Sequence, residues 1–225
     1  MSTVTAITAP DFRLDCTDLP RLAAEPGSQL ELLVLAADGW HCAGVDMATG
    51  VLVRTWSECP PERRLRPYDL VRVTLAGEEA PELPDPAAPE GLALEGAPEP
   101  IGRLGGRQAE RLLRPLLHPS GAPLLGSFGP TVPFWERCSD HPSVALVEPP
   151  GPVVLVRQDS YLGCRFPWQD RVRELPCLDR RVAAELDRRG RSRAVLEGRT
   201  RLLVALTPPL DGHCRKVVEA VLPRP

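Results

Sequence analysis

The chain has 225 residues, 43% of them hydrophobic, which is enough for one large domain or two small ones. Aromatics make up 4% and the net charge is −3, which excludes a broad stacking platform and a uniformly basic surface. The seven scattered cysteines, the absence of a basic-then-apolar leader over Met1–Leu14 and the lack of any run of about 18 apolar residues argue against a disulfide framework, a signal peptide and a membrane-spanning helix.

Residues 1–28, with Pro10, Pro20, Pro26 and Gly27, read as an irregular arm with a short helix near Leu19 to Ala24. Leu30 to Leu35 is almost continuously apolar, as a strand covered on both faces is. Asp38-Gly39 reads as a hairpin turn, followed by a strand from Trp40 to Met47, a turn at Thr49-Gly50 and a strand from Val51 to Trp56. Leu70 to Leu75 alternates, with Val71, Val73 and Leu75 on one face. Four strands with tight turns predict a small barrel over residues 29–77.

Glu78 to Pro100 holds seven acidic residues, six prolines and no basic residue, and reads as an exposed linker or as a strap over a basic groove. Arg107 to His118 places four leucines on one helical stripe, with Pro115 predicting an end near Arg114. Residues 78–142 are thus an acidic, proline-rich linker and a helical segment. Strand character returns at Ser143–Glu148 and Val153–Arg157, followed by a hairpin of Tyr161–Trp168 and Arg171–Cys177. Asp179 can cap a helix running to about Arg189 and closed by Gly190, with a Glu185–Arg189 pair along it. Strands over Arg201–Thr207 and Cys214–Leu222 follow, the last with Val218, Ala220 and Leu222 on one side. The fold class is mainly β with a few helices: two OB-like small barrels, at 29–77 and 143–225, around a helical middle.

Four passages resemble the dual OB-fold (DuOB) family of bacteria. They are His41-Cys42-Ala43-Gly44-Val45-Asp46 with Gly50 to Arg54; Leu65-Arg66-Pro67-Tyr68-Asp69-Leu70-Val71; Ser143 to Pro149; and Leu203 to Pro209 with Gly212 to Val221. The likeness spans about residues 30–223 and departs from the family at Leu178-Asp179-Arg180, where a Thr-Asp-Pro step is expected. It implies two OB folds and a nucleic-acid-sensing role in bacterial conflict systems, with Arg54 at a family position.

For chemistry, His41-Cys42, His213-Cys214 and Cys138-x-x-His141 lack the paired spacing of a zinc site and read as structural cysteines; no metal and no cofactor is expected. Asp46, Asp69 and His141 make a hydrolytic site on paper, without a nucleophile signature, and Gly102 to Gly106 lacks the lysine of a phosphate loop. All basic residues except Lys216 are arginine, and residues 151–225 carry 15 basic groups against 9 acidic. That balance is compatible with a polyanion. The nucleic-acid candidates are Trp40, Arg54, Trp56, Tyr68 and Arg72 in the first unit. In the second they are Arg157, Tyr161, Arg165, Trp168, Arg171, Arg173 and Lys216. The expected function is a non-enzymatic, cytoplasmic recognition module for single-stranded nucleic acid or nucleotide. The alternative is a protein-interaction adaptor, and neither involves a membrane.

Overall fold

Leu30 to Leu35 is apolar except at the exposed Glu31, and in the computed structural model Leu32 to Leu35 are buried on both faces of a sheet. The structure describes residue 22 and residues 24–59, 61, 64–77, 87–137 and 141–222. The helix expected near Leu19 to Ala24 and the thiol of Cys138 lie largely or wholly outside these.

The first sheet contains β1 (Gln29–Asp38), β2 (His41–Asp46), β3 (Leu52–Ser57), β4 (Asp69–Thr74), β5 (Gly91–Leu94) and β6 (Glu99–Arg103), in the order β5-β3-β2-β1-β4-β6. After α1 (Gly106–Leu113) and a 3-10 turn at Arg114–Leu116 come β7 (Thr131–Pro133), β8 (Val144–Val147), β9 (Val153–Arg157), β10 (Leu162–Trp168) and β11 (Arg171–Cys177). Then follow α2 (Arg180–Arg188), β12 (Arg193–Leu196), β13 (Arg201–Leu206) and β14 (His213–Leu222). The second sheet has the order β12-β9-β10-β11-β14-β13-β8, with β7 paired to β14. Among the described residues the molecule is therefore mainly β, with two sheets and two α-helices. Neither sheet forms a closed barrel among the described residues.

Five strands of each sheet share one pairing pattern. In the first, β1, β2 and β3 form a meander, β4 returns antiparallel to β1, and β5 lies parallel to β3. In the second, β9, β10 and β11 form the meander, β12 returns to β9, and β14 lies parallel to β11 at Cys177–Val218. Within the linker and helical segment expected over 78–142, β5 and β6 are strands of the first sheet, and α1 is the helix, burying Ala109 and Leu113 completely. The first unit thus extends well past residue 77.

Three cores hold the sheets. One lies inside the first sheet, around Leu32, Val34, Val53 and Val71, and another inside the second, around Leu155, Phe166, Trp168 and Val218. The third joins them, packing Leu33, Leu35 and Tyr68 against Leu146, Leu203 and Leu222, with α1 over the top. Five fully buried leucines at roughly 2 kcal/mol each make this joint strong enough to couple the units. β1 serves two cores by alternation, Leu32 and Val34 facing one and Leu33 and Leu35 the other, whereas β14 does so because it contains a bulge at Glu219; β1 has a bulge of its own at Leu35. A one-residue bulge reverses the face to which every later side chain points. So Val218 joins the second sheet's own core while Ala220 and Leu222 join the joint. This corrects the simple alternation expected for Val218, Ala220 and Leu222. Close approach of β2 to β1 requires Gly44, where a Cβ would sit 2.6 Å from the Leu33 carbonyl oxygen.

Candidate ligand cleft between the sheets

β2 and β3 turn their outer face toward the second sheet, and they do not pack against it along their whole length. The remaining space belongs to a cavity of about 1420 Å³ that also reaches into the first sheet's own core at Cys42, Val53 and Leu75. Its walls are the β1–β2 turn, both faces of β2 and β3, and residues 87–93 from the first unit. The second unit supplies the start of α2, the β13–β14 rim at Thr207 and Pro208, and Glu219.

Arg54, on β3, crosses the cleft floor. Its guanidinium donates to the Leu206 carbonyl at 3.2 Å and to Ser143 Oγ at 3.4 Å, and pairs with Glu219 Oε1 at 3.4 Å. Glu219 reaches it because the bulge frees that residue from the β13–β14 ladder. Ser143 in turn donates its N–H and hydroxyl to the two oxygens of Glu90, both at 2.6 Å. Glu90 belongs to the described part, 87–100, of the acidic 78–100 stretch, so that part ties the units together at this point. Arg180–Asp38 and Arg181–Asp179 complete the charge pairs lining the cleft. Trp56 lies against Gly91, where a Cβ would come within 2.6 Å of the ring, and keeps 37% of its surface exposed to the cleft side. Trp40 sits next to it in the chain fold, on the β1–β2 turn, 53% exposed. The Cys42 thiol, also on the wall, is pushed up to about 12 by burial and by the Glu219 carboxylate, so it is protonated and inert at neutral pH.

The other sequence candidates go elsewhere. Tyr68 is buried in the joint core, its hydroxyl pushed up to about 12 mainly by burial, and Trp168 is buried with its indole N–H donating to Ala122 O. Neither presents a face to a base, which corrects both expectations. Arg72 pairs with Glu31 and Glu99 on the far side of the first sheet. Arg157 pairs with Asp187 and so anchors α2, while Arg165 pairs with Glu174 at 2.8 Å. Tyr161 is exposed on the β9–β10 turn, and Arg171 is exposed at the start of β11. Arg173 donates to Phe128 O at 2.6 Å. Asp46 and Asp69 serve turns: Asp46 accepts from Thr49, and Asp69 accepts from the Arg66 N–H and pairs with Arg103. They do not assemble with His141 into a hydrolytic group. Among the described residues no cluster of three or more His, Cys, Asp or Glu could hold a metal ion. Also among them, no helix is long and apolar enough to cross a membrane.

Lys216 is 2% exposed and donates to the carbonyls of Ser127 and Gly129. It is a pinning residue, not a surface cation. Burial, with Arg173 nearby, pulls its amine from 10.5 down to about 7. A lysine lowered on folding weakens the fold most at pH below its folded pKa, where both states hold the proton. That penalty fades as pH rises from about 7 toward 10.5. A neutral amine still has two N–H groups for the two carbonyls. We therefore expect the urea midpoint of the native protein to gain on that of Lys216→Met between pH 6 and pH 9 (roughly the span of the shift). A gap that stays flat across that span would show that the ammonium is hydrated.

No family model and no curated protein matches this chain.

Proposed function

We propose that the chain is a recognition module built of two OB-like units, and that the cleft between them binds a nucleobase carrying phosphate, as single-stranded nucleic acid or nucleotide. The observation that carries the reading is the position of the cleft. OB folds bind ligands on the face of their second and third strands, between the loops that join strands one to two and four to five. The cleft lies over β2 and β3, between the β1–β2 turn and the β4–β5 connection. The shared pairing pattern supports OB-like units on both sides. So does an isolated bridge from Leu75 to Leu94, with Ala76 N donating to Ala93 O and Glu95 N to Thr74 O, which links β4 toward β5. In this reading Trp56 stacks on a base and Arg54 meets phosphate. The likeness to the dual OB-fold family points the same way.

The balanced charge of the cleft sets the electrostatics. With three arginines already paired, few phosphates are neutralised, so a contact number of about two gives a shallow salt slope near −1.4 for a single strand. Anisotropy with labelled single-stranded DNA, single-stranded RNA and duplex tests this. Single strands are expected to bind, duplex not, and Trp56→Ala to weaken binding about tenfold, the lower range for one stacked base. Absence of binding to any strand at high micromolar protein would sink the reading. It would favour a protein partner on the outer face of β9–β12, where Val172 and Val195 are 73% and 49% exposed.

A further inference from the structure

Two large aromatic side chains of the second unit stand in solvent without being part of the cleft. Phe128 is 58% exposed and Trp135 69% exposed, one just before and one just after β7. Exposed rings of this size are costly in water and are commonly kept for contact.

The Trp135 ring and the backbone that carries Phe128 are both held in place. The Trp135 ring lies against Gly212, where a Cβ would sit 3.0 Å from it, and meets His213 edge-on at 5.2 Å and 74°. Gly212 also has a φ of 75°, so its lack of a side chain serves the turn and the ring together. The Phe128 loop is fixed from below: the carbonyls of Ser127, Phe128 and Gly129 accept from Lys216, Arg173 and Lys216 in turn. With three successive carbonyls tied to two cations, the loop is pinned and its side chain stays exposed.

Between the rings, β7 pairs with the start of β14, Thr131 opposite Arg215 and Pro133 opposite His213. Cys214 is fully buried between them, so Arg215 and His213 share the outer face, roughly 7 Å apart at two residues of strand. The result is a strip of aromatic, guanidinium, imidazole and aromatic. Glu136 and Asp211 flank the Trp135 end, so positive charge concentrates at the Phe128 end with Arg173 and Arg215. The strip begins at the rim of the cleft. Arg215 exchanges backbone bonds with Thr207, its carbonyl accepting from Thr207 N at 2.9 Å and its N–H donating to Thr207 Oγ1 at 3.1 Å.

We infer that Phe128, Arg215, His213 and Trp135 form a second single-stranded nucleic-acid contact that continues the cleft, so that the ligand is an oligonucleotide of several units rather than a mononucleotide. Unpaired bases stack on the two rings and Arg215 meets the phosphate between them. The inference rests on the cleft reading for its ligand class but on different residues.

The test uses labelled oligothymidine and oligouridine of about 5 and about 15 nucleotides, which bracket the usual site size of an OB fold. The native protein is expected to bind the longer strand at least tenfold more tightly. Phe128→Ala/Trp135→Ala should abolish that preference and leave the short strand unaffected, and Arg215→Ala should reduce the salt slope for the long strand by about one. Extra binding registers alone would give a length preference that survives the double substitution, and that result overturns the strip. A native affinity independent of length overturns it as well. Loss of the long strand on Trp135→Ala while Trp56→Ala has no effect would uphold the strip and overturn the cleft. Failure of both lengths to bind overturns both.

Discussion

Replacing Asp179 by alanine is expected to lower the unfolding free energy by about 3–4 kcal/mol. Asp179 is only 5% exposed and does three jobs. It caps α2, accepting from the N–H groups of Arg181 at 3.0 Å and Val182 at 3.4 Å. It takes the N–H of Val221 from β14 at 3.0 Å. It also receives the Arg181 guanidinium at 2.7 and 3.2 Å, while that guanidinium reaches the Val221 carbonyl. A lost cap costs about 1 kcal/mol, an orphaned buried N–H about 1–3, and Arg181 is left without its counter-ion. Asp179→Asn keeps an acceptor for the cap and should recover about half. Urea unfolding of the two variants checks this. A loss below about 1 kcal/mol for the alanine variant would mean that the Asp179 carboxylate acts only as a solvated cap. Because the first turn of α2 is also a wall of the cleft, the alanine variant should weaken ligand binding along with the fold.

Asp179 also shows what local sequence conveys. A cap, the Glu185–Arg189 pair and the left-handed Gly190 are set within a few residues of one another, and α2 stands between them as expected. The alternation of β4, the break at Pro115 and the β10–β11 hairpin are equally local. β5, β6, β7 and β12 were not legible. Each is three to five residues long, and each is defined by a partner far away in the chain: β5 lies parallel to β3, and β7 lies against β14. The acidic, proline-rich composition of 78–100 concealed β5 and the start of β6, since neither needs a long apolar run to fill an edge position. The bulges at Leu35 and Glu219 were hidden for a related reason: a continuous apolar run looks the same whether or not its faces exchange midway. Of the candidate site, Arg54 and Trp56 were visible as a cation and an aromatic on one strand face. Trp168 and Tyr68 have the same residue chemistry but are buried, and only tertiary packing separates the two cases. Trp135 had a local cue in its position after Pro133 and Phe134, a short stretch too stiff and aromatic for a plain linker.

Arg54 is placed to do two things, and the Arg54–Glu219 pair is where they can be separated. As a tie, the guanidinium joins β3 to the β13 carbonyl at Leu206 and to Glu219. Both side chains are about one-fifth exposed, so the figure for breaking a fully buried pair has to be discounted. We expect Arg54→Ala to cost about 2 kcal/mol, part of it from leaving Glu219, whose Oε2 already lacks a partner, beside an empty space. As a ligand contact, the same guanidinium must release Glu219 before it can take a phosphate, and that competition lowers affinity. Glu219→Gln keeps the shape and one acceptor oxygen while removing the charge. Its cost to stability should stay near 1 kcal/mol, and phosphate-bearing strands should bind about tenfold more tightly because the competing anion is gone. Arg54→Ala should abolish that gain when the two are combined, giving a coupling of about 1.4 kcal/mol in a double-mutant cycle on binding. If Glu219→Gln leaves affinity unchanged while Arg54→Ala still destabilises, Arg54 is a strut between the sheets alone, and the anion in the cleft is met by another arginine. In that event the wall formed by Arg180 and Arg181 becomes the place to look, since Arg180 is held to Asp38 by a pair exposed enough to break at little cost.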